Sequence, residues 1–473
     1  MLTKSIAVAW ILLYGKCCGL SRIAKKNMKN FFFVSLLLLP VFQCGAYNAN
    51  DAAKTVSSDG SYSDTAQAIA HAVGKAQDGW TVFVGSPGGS YTWTNQLIFS
   101  TANVLTLSGG STNNRPTIIF SAPTRSGIYL GMGNGNLVTI RDFIFDTGAN
   151  GPTGSNLAID GAAVCFRITD CELLNSHGAA FGIQVGGINA THSPGPYGVI
   201  DNCQFYFPGG VVYNYVNVFA NGNIDNWCWT QPMTWGTANS VVVEKCAFSQ
   251  PHAAPMSGLV EAMGGARLTI RYNNITNIPE SVHGFNSGAK SSTLQVEMYE
   301  NNWMLNDTGN TMSYLYLQRG GTAVVWSNSV VVTGAWNLGG VCQFWVECAA
   351  SIWQSEWCTS QLQYPGDYPA LQQIGQGVVN GAPGLVPVYC WGNNFPGTTW
   401  GNFGLGRDGG DASFIQQGRD IYTNSVMPNY TPLVFPHPLD TGLGGPSNNG
   451  TGTTTNSAVI PPSNLQAHPP AGQ

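Results

Sequence analysis

The chain has 473 residues, 59 of them glycine, a net charge of −5 and only 9% charged residues. So little lysine and arginine excludes the basic surface that nucleic-acid binding requires. The length exceeds that of an ordinary single-core domain and suits a fold that grows along one axis.

The first element is a targeting segment. Lys25, Lys26 and Lys29 precede the apolar run Phe31–Phe42, and Ala46 closes a Cys-Gly-Ala stretch suited to cleavage. Residues 1–46 are therefore expected to be an export signal with translation starting at Met28. A lipoprotein anchor would use Cys44, but Val41-Phe42-Gln43 lack the small residues such a site needs. The run is shorter than the roughly 18–20 residues of a membrane span. The expected location is outside the cell or at its surface, with no membrane contact once the signal is removed. Export permits disulfides, and Cys342, Cys348 and Cys358 lie close enough in sequence to pair. No Cys-x-x-Cys occurs, which argues against zinc.

Ser63–Val84 predicts a short helix followed by a strand. Asp64 is the expected N-cap, Gln67 completes a capping box, and Ala66, Ile69, Ala70 and Val73 form the apolar face.

Seven segments then repeat one pattern, anchored at Ile140, Ile168, Ile200, Val243, Ile270, Met298 and Val325. Successive anchors lie 28, 32, 43, 27, 28 and 27 residues apart, the period of a solenoid. β-Branched runs and glycine pairs favour strands over helices. The third residue after each anchor is Phe143, Cys171, Cys203, Cys246, Asn273, Asn301 or Asn328. Asparagine tolerates the left-handed backbone of a sharp bend, and stacked amides hydrogen-bond one another. Two residues later the position is always apolar, from Phe145 to Val330. These features predict an all-β chain folded as a right-handed parallel β-helix over residues 47–439. The Gly/Thr/Pro-rich stretch 440–473 reads as a disordered tail.

The residue after each anchor is expected to face outward: Arg141, Thr169, Asp201, Glu244, Arg271, Tyr299 and Trp326. Asp201, Glu244 and Arg271 would form a solvated ion-pair ladder worth under about 1 kcal/mol. The same carboxylates make calcium the one conceivable cofactor, though no third oxygen ligand is evident; otherwise neither a metal nor a cofactor is expected.

Two insertions break the period. One carries Trp227, Trp229 and Trp235, whose ring faces suit sugars or simply bury the loop on the coils. The other lies between Val325 and the next expected anchor, Tyr389. The strands before the glycine-rich bends include Gly182–Val185, Leu259–Met263, His283–Asn286 and Tyr314–Arg319. They place Glu261, His283 and Arg319 on successive coils as candidate catalytic groups, with Asn286 and Gln318 as candidate substrate contacts. A histidine beside a carboxylate suits acid–base work, and an arginine suits elimination from a uronate. The competing reading makes His283 a turn residue bonded to backbone and Arg319 a cap on the following Gly-Gly bend.

The capping helix, the coil period and the ladder positions together resemble the pectate-lyase-like superfamily over about Asp51–Leu439. That resemblance implies a helix plugging one end of the solenoid and a polysaccharide lying along one sheet. His283-Gly284 matches the His-Gly of polygalacturonases, but their Asp pair and Arg-Ile-Lys are absent. The chain is also similar to a group of secreted bacterial β-helix proteins of unestablished activity, through Arg271–Ile275, Glu297–Asn302, Tyr364–Gly377, Pro387–Asn394 and Tyr430–Leu439. The expected function is binding and cleavage of a polysaccharide or cell-surface glycan, by elimination sooner than by hydrolysis. The alternative is a non-catalytic glycan-binding, adhesive or structural solenoid.

Overall fold

The computed structural model describes residues 47–75, 79–101, 103–132, 137–161, 165–174, 181–187, 195–208, 213–220, 227–251, 258–284, 291–307, 314–333, 342–344, 369, 372–395, 404–405 and 415–441. All of these belong to the unit Gly45–Gln473. The expected export segment 1–46, the expected tail from 442 onward, and Cys348 and Cys358 lie outside the described residues.

The strands form a parallel β-solenoid. Each coil gives one strand to each of three faces, as Cys165–Thr169, Glu172–Leu174 and Phe181–Val185 do. Among the described residues the first sheet has 13 strands, the second nine and the third six, the last followed by a four-stranded sheet. The repeat positions align in register. Ile140, Ile168, Ile200, Val243, Ile270, Met298 and Val325 are successive neighbours in the first sheet. Phe145, Leu173, Phe205, Phe248, Ile275, Trp303 and Val330 align likewise in the second. Both columns are buried, and Phe205 stacks on Phe248 with ring centroids 4.4 Å apart.

The register corrects one expectation. Val325 is paired with Cys390, not with Tyr389. Cys390 enters the core, while Tyr389 turns outward and stacks on Tyr422 at 5.2 Å. The corrected anchor adds a rung to the asparagine ladder. Asn273 Nδ2 donates to Asn301 Oδ1, Asn301 Nδ2 to Asn328 Oδ1 and Asn328 Nδ2 to Asn393 Oδ1, each at 2.9 Å. Each Oδ1 also takes the backbone N–H of the preceding rung, starting with Cys246. Further along the column, the thiols of Cys171, Cys203 and Cys246 donate to main-chain carbonyls.

The left-handed residue is not the asparagine, as expected from sequence, but its predecessor. Asp142, Asp170, Asn202, Lys245, Tyr272, Glu300 and Ser327 have φ between 51° and 64°. The bend at this residue directs the following side chain into the column. The amide ladder, rather than tolerance of left-handed backbone, is what the asparagines supply.

The helix spans Tyr62–Val73 and packs Ala68, Ile69 and Ala72 into the core at the start of the solenoid. Ser61 is the N-cap residue, without a side-chain cap bond, and Asp64 is not a cap. Asp64 is buried and accepts the N–H groups of Tyr47 and Asp59, both at 2.8 Å, tying the preceding segment to the helix. The apolar face is accordingly rotated from the one expected.

The largest departure concerns the outer face of the first sheet. Thr169, Asp201, Glu244, Arg271 and Tyr299 point away from the core, yet all are buried. A C-terminal strap, Tyr430–Asp440, covers them. Tyr430 donates to Glu297 Oε2 (2.7 Å), Arg271 donates to the carbonyls of Leu433 (2.6 Å) and Val434 (3.0 Å), and the His437 N–H reaches Glu244 Oε1 (2.9 Å). Asp440 ends the strap between Arg167 and Lys245. Leu433 and Leu439 fill the space over Val199 and Val242. The expected solvated ladder is therefore a covered one, with Arg271 and Glu244 both fully buried 2.6 Å apart.

Candidate active-site face

The third sheet carries Glu261, and the four-stranded sheet that follows it carries His283, Gln318 and Arg319 in or beside its strands. The third-sheet strands Ser126–Met132, Ser155–Gly161, Phe181–Val185, Asn214–Phe219 and Gly258–Met263 align Ile128, Leu157, Ile183, Val216 and Val260 on the core side. Alternation then puts Tyr129, Ala158, Gln184, Asn217 and Glu261 on the outer side, one per coil. Strand spacing fixes successive members about 4.8 Å apart.

Beyond Glu261 the ladder is interrupted. The short strand Glu280–Val282 lies alongside, with Leu259 N–H bonded to Pro279 O (2.8 Å) and His283 N–H to Ala262 O (3.0 Å). The Glu280 carboxylate fills the gap by accepting the Val260 N–H at 2.9 Å. Glu280 shares the buried side of its strand with Val282, and burial, reinforced by the charge of Glu261, raises its pKa well above the ordinary carboxylate value. Its second oxygen has no partner among the described residues.

Glu261, His283 and Arg319 are brought together. Arg319 Nη2 donates to Glu261 Oε1 at 2.9 Å, and Arg319 Nε donates to Val282 O at 3.1 Å. His283 and Arg319 directly follow the paired residues Val282 and Gln318. Asn214 Nδ2 donates to the other Glu261 oxygen at 3.3 Å. His283 Nδ1 lies 3.0 Å from Gly284 O. A carbonyl only accepts, so Nδ1 carries the proton, and in the neutral ring Nε2 is the nitrogen able to take one. This is the backbone-bonded turn that the competing sequence reading described, and the same bond orients the ring.

Tyr314 and Ser281 complete the cluster. Ser281 Oγ accepts from Arg319 Nη2 at 3.3 Å, and Tyr314 lies within reach of the Arg319 and Glu261 charges. Burial raises the Tyr314 pKa, which keeps its hydroxyl protonated, while the Arg319 charge pulls the other way. Farther along the same face, Tyr129 donates to Asp160 Oδ2 (2.8 Å); burial and that bond push its pKa up to about 12.

The remaining candidates lie elsewhere. Gln318 is a correction: it is fully buried, accepting from Tyr316 (2.9 Å) and donating to Gly320 O (3.1 Å), so both ends of its amide are engaged within the solenoid. Trp229 is also buried, with Nε1 donating to Ser292 O at 3.1 Å beside Leu294 and Val378. Trp227 packs on the core from the same turn, and Trp235 meets Tyr430 of the strap edge to face. The tryptophan loop thus clasps the first sheet instead of presenting rings on the third. Gly236 of that loop has φ +64°, and a Cβ there would meet Thr431 O at 1.8 Å, so only glycine fits where loop and strap meet. Asn286 lies outside the described residues.

No group of three His, Cys, Asp or Glu able to hold a metal occurs among the described residues. Of the carboxylates considered for calcium, Asp201 is tied to Arg167 and Glu244 to Arg271. Cys342 is a buried free thiol.

Asn217 and Tyr314 were not singled out from sequence. Asn217 sits in an alternating Tyr-Val-Asn-Val-Phe strand, Tyr215–Phe219, whose signal was hidden by the insertion that follows it. Tyr314 opens a strand read only for its final arginine.

No protein-family model matches the chain, and no curated protein sequence does. Among solved structures it is similar to an alginate lyase from Paenibacillus sp. str. FPU-7. The identity is 12% and the TM-score 0.36, with 61% of this chain and 98% of that one covered.

Proposed function

We propose that the outer face of the third sheet binds an acidic polysaccharide outside the cell and cleaves it by β-elimination. The observation that carries this reading is the Glu261–Arg319 pair beside His283 and Tyr314, while Glu280, the other carboxylate that feels the Glu261 charge, is fully buried and bonded to the Val260 N–H. Hydrolysis with inversion or retention ordinarily uses two carboxyl groups flanking the bond. Elimination from a uronate needs a cation near the sugar carboxylate, a base and an acid. Arg319 supplies the charge, and Glu261 holds its guanidinium in place. His283 Nε2 takes the proton from the carbon next to the carboxylate. The released electron pair forms the ring double bond, the bond from the adjacent carbon to the glycosidic oxygen breaks, and that oxygen takes the Tyr314 proton.

The test is a polysaccharide panel read in parallel for ultraviolet-absorbing unsaturated uronates and for new reducing ends. The reading expects both signals from at least one polyuronate and at least a 100-fold loss in His283→Ala and Arg319→Ala, in line with the usual contribution of positioned acid–base groups (about 10²–10⁴). Reducing ends without unsaturated product would replace elimination with hydrolysis. Binding without either signal would leave a glycan-binding solenoid.

A further inference from the structure

The outer side of the third sheet opens at the end away from Arg319. Ala158, Gln184, Asn217 and Glu261 are buried, whereas Tyr129 and Asp160 are partly exposed and Ile98 is 63% exposed. These three residues come from consecutive coils. Ile98 pairs with Tyr129, and Gly131, two residues after Tyr129, pairs with Asp160. Their neighbours Phe99, Leu130 and Ile159 turn into the core, which leaves Ile98, Tyr129 and Asp160 outward. The Tyr129 ring leans over Gly131, with Cε1 3.7 Å from where a Cβ would stand, and its hydroxyl donates to Asp160 Oδ2 at 2.8 Å. Asp160 Oδ1 accepts the Gly161 N–H at 2.7 Å. A carboxylate offers about four acceptor positions, so these bonds orient Asp160, which stays partly exposed. Single apolar residues on a surface need no explanation, but here an aliphatic side chain and a ring lie side by side and end at an oriented acceptor.

We propose that Ile98, Tyr129 and Asp160 form a second saccharide site, which takes an uncharged sugar with two adjacent free hydroxyls. It is separate from the proposed cleavage cluster: Asp160 and Glu261 are three coils apart, about 14 Å along the axis at about 4.8 Å per coil. The apolar face of a pyranose packs on Tyr129 and Ile98, and its vicinal hydroxyls donate to the Asp160 oxygens. A uronate ring in the same place would set its own carboxylate against Asp160, so the charge that suits Arg319 is rejected here. An ammonium sugar is disfavoured by the exposed Arg125, whose charge reaches Tyr129. The inference goes beyond the elimination reading and does not require cleavage.

The experiment is calorimetric titration in the His283→Ala background, in which polyuronates are not consumed. The probes are uncharged hexaoses of glucose, mannose and galactose, hexagalacturonate, and the glucosamine hexamer. At least one uncharged hexaose is expected to bind, and Tyr129→Ala and Asp160→Ala should each weaken it about tenfold or more, since a bond to a charged acceptor is worth at least that. Asp160→Asn and Tyr129→Phe keep the shape of the site and replace the alanine variants if those do not fold, with a smaller weakening expected. Hexagalacturonate should bind no more weakly in Asp160→Ala. Binding of no uncharged hexaose, binding that survives either substitution, hexagalacturonate weakened by loss of Asp160, or tighter binding of the glucosamine hexamer would overturn the inference. Polyuronate cleavage by the wild-type protein is scored separately, and its absence would remove the elimination reading while leaving this site standing.

Discussion

The outer faces of the first and third sheets are built from the same repeat and use their charged groups differently. On the first, the strap and the tryptophan loop bring partners from distant sequence. Arg271 reaches Glu244, Leu433 and Val434; Glu297 receives Tyr430, Gly236 and Gln295; Arg167 reaches Asp201 and Leu439. At the third, Arg319 is held by Glu261 beside a histidine whose Nδ1 is bonded to Gly284 O. A face whose charges are tied to distant segments of the chain is a seam of the fold, whereas an oriented histidine beside a clamped arginine marks a candidate site.

Breaking the seam should have the largest effect. Arg271→Met leaves the buried Glu244 carboxylate without its cation and frees two strap carbonyls, a loss of about 3–5 kcal/mol. Limited proteolysis should then cut within Tyr430–Asp440. A variant as stable as the parent, with an uncut strap, would mean that the strap is not held by this network.

Trp229→Ala should rank next, at about 3 kcal/mol, because it empties a packed position and removes the Nε1 bond to Ser292 O. Any glycan cleavage should continue with an unchanged KM, measured below the lowered melting temperature. A raised KM with normal stability would return the tryptophan loop to the binding surface.

Asn301→Leu breaks the amide ladder at its middle rung. Asn273 loses the Oδ1 that accepts both its N–H and its Nδ2, and Asn328 Oδ1 loses one of its two donors, at an expected loss of about 2 kcal/mol by denaturant unfolding. The same change at Asn302, which is exposed, should be nearly neutral.

The smallest effect at neutral pH, and the most informative in sign, comes from two buried titratable groups. Glu280 holds its proton more tightly folded than unfolded. Its contribution is therefore complete below the unfolded carboxylate range and is lost as pH rises through its raised folded value. His437 lies under the strap near Arg271 and Arg167. Burial first, then those charges, lowers its pKa from 6.5 to about 3, and its contribution fades as pH falls from 6.5 toward that value. Melting temperature against pH should show both limbs. Glu280→Gln should flatten the alkaline limb and His437→Gln the acid one; limbs unchanged in both variants would assign the pH dependence to other groups.

The legible part of the fold was local and periodic. Anchors such as Ile168 and Val243 and the rungs Asn273, Asn301 and Asn328 repeat at a spacing that only stacked coils explain. The strap was not legible, because nothing within Tyr430–Leu439 announces that its partners lie 133–272 residues earlier. For the same reason Glu244 and Arg271 read as solvated charges: composition shows the ion pair and not its cover. Alternation placed Glu261, His283 and Arg319 on one face, but Gln318, one residue from Arg319, points inward by that same alternation.

A crystal structure of the His283→Ala protein with a bound hexauronate tests the central claim most directly. The saccharide is expected along the outer side of the third sheet, with a carboxylate toward Arg319. A saccharide seated on the strap, on Trp235 or on the first sheet would contradict it.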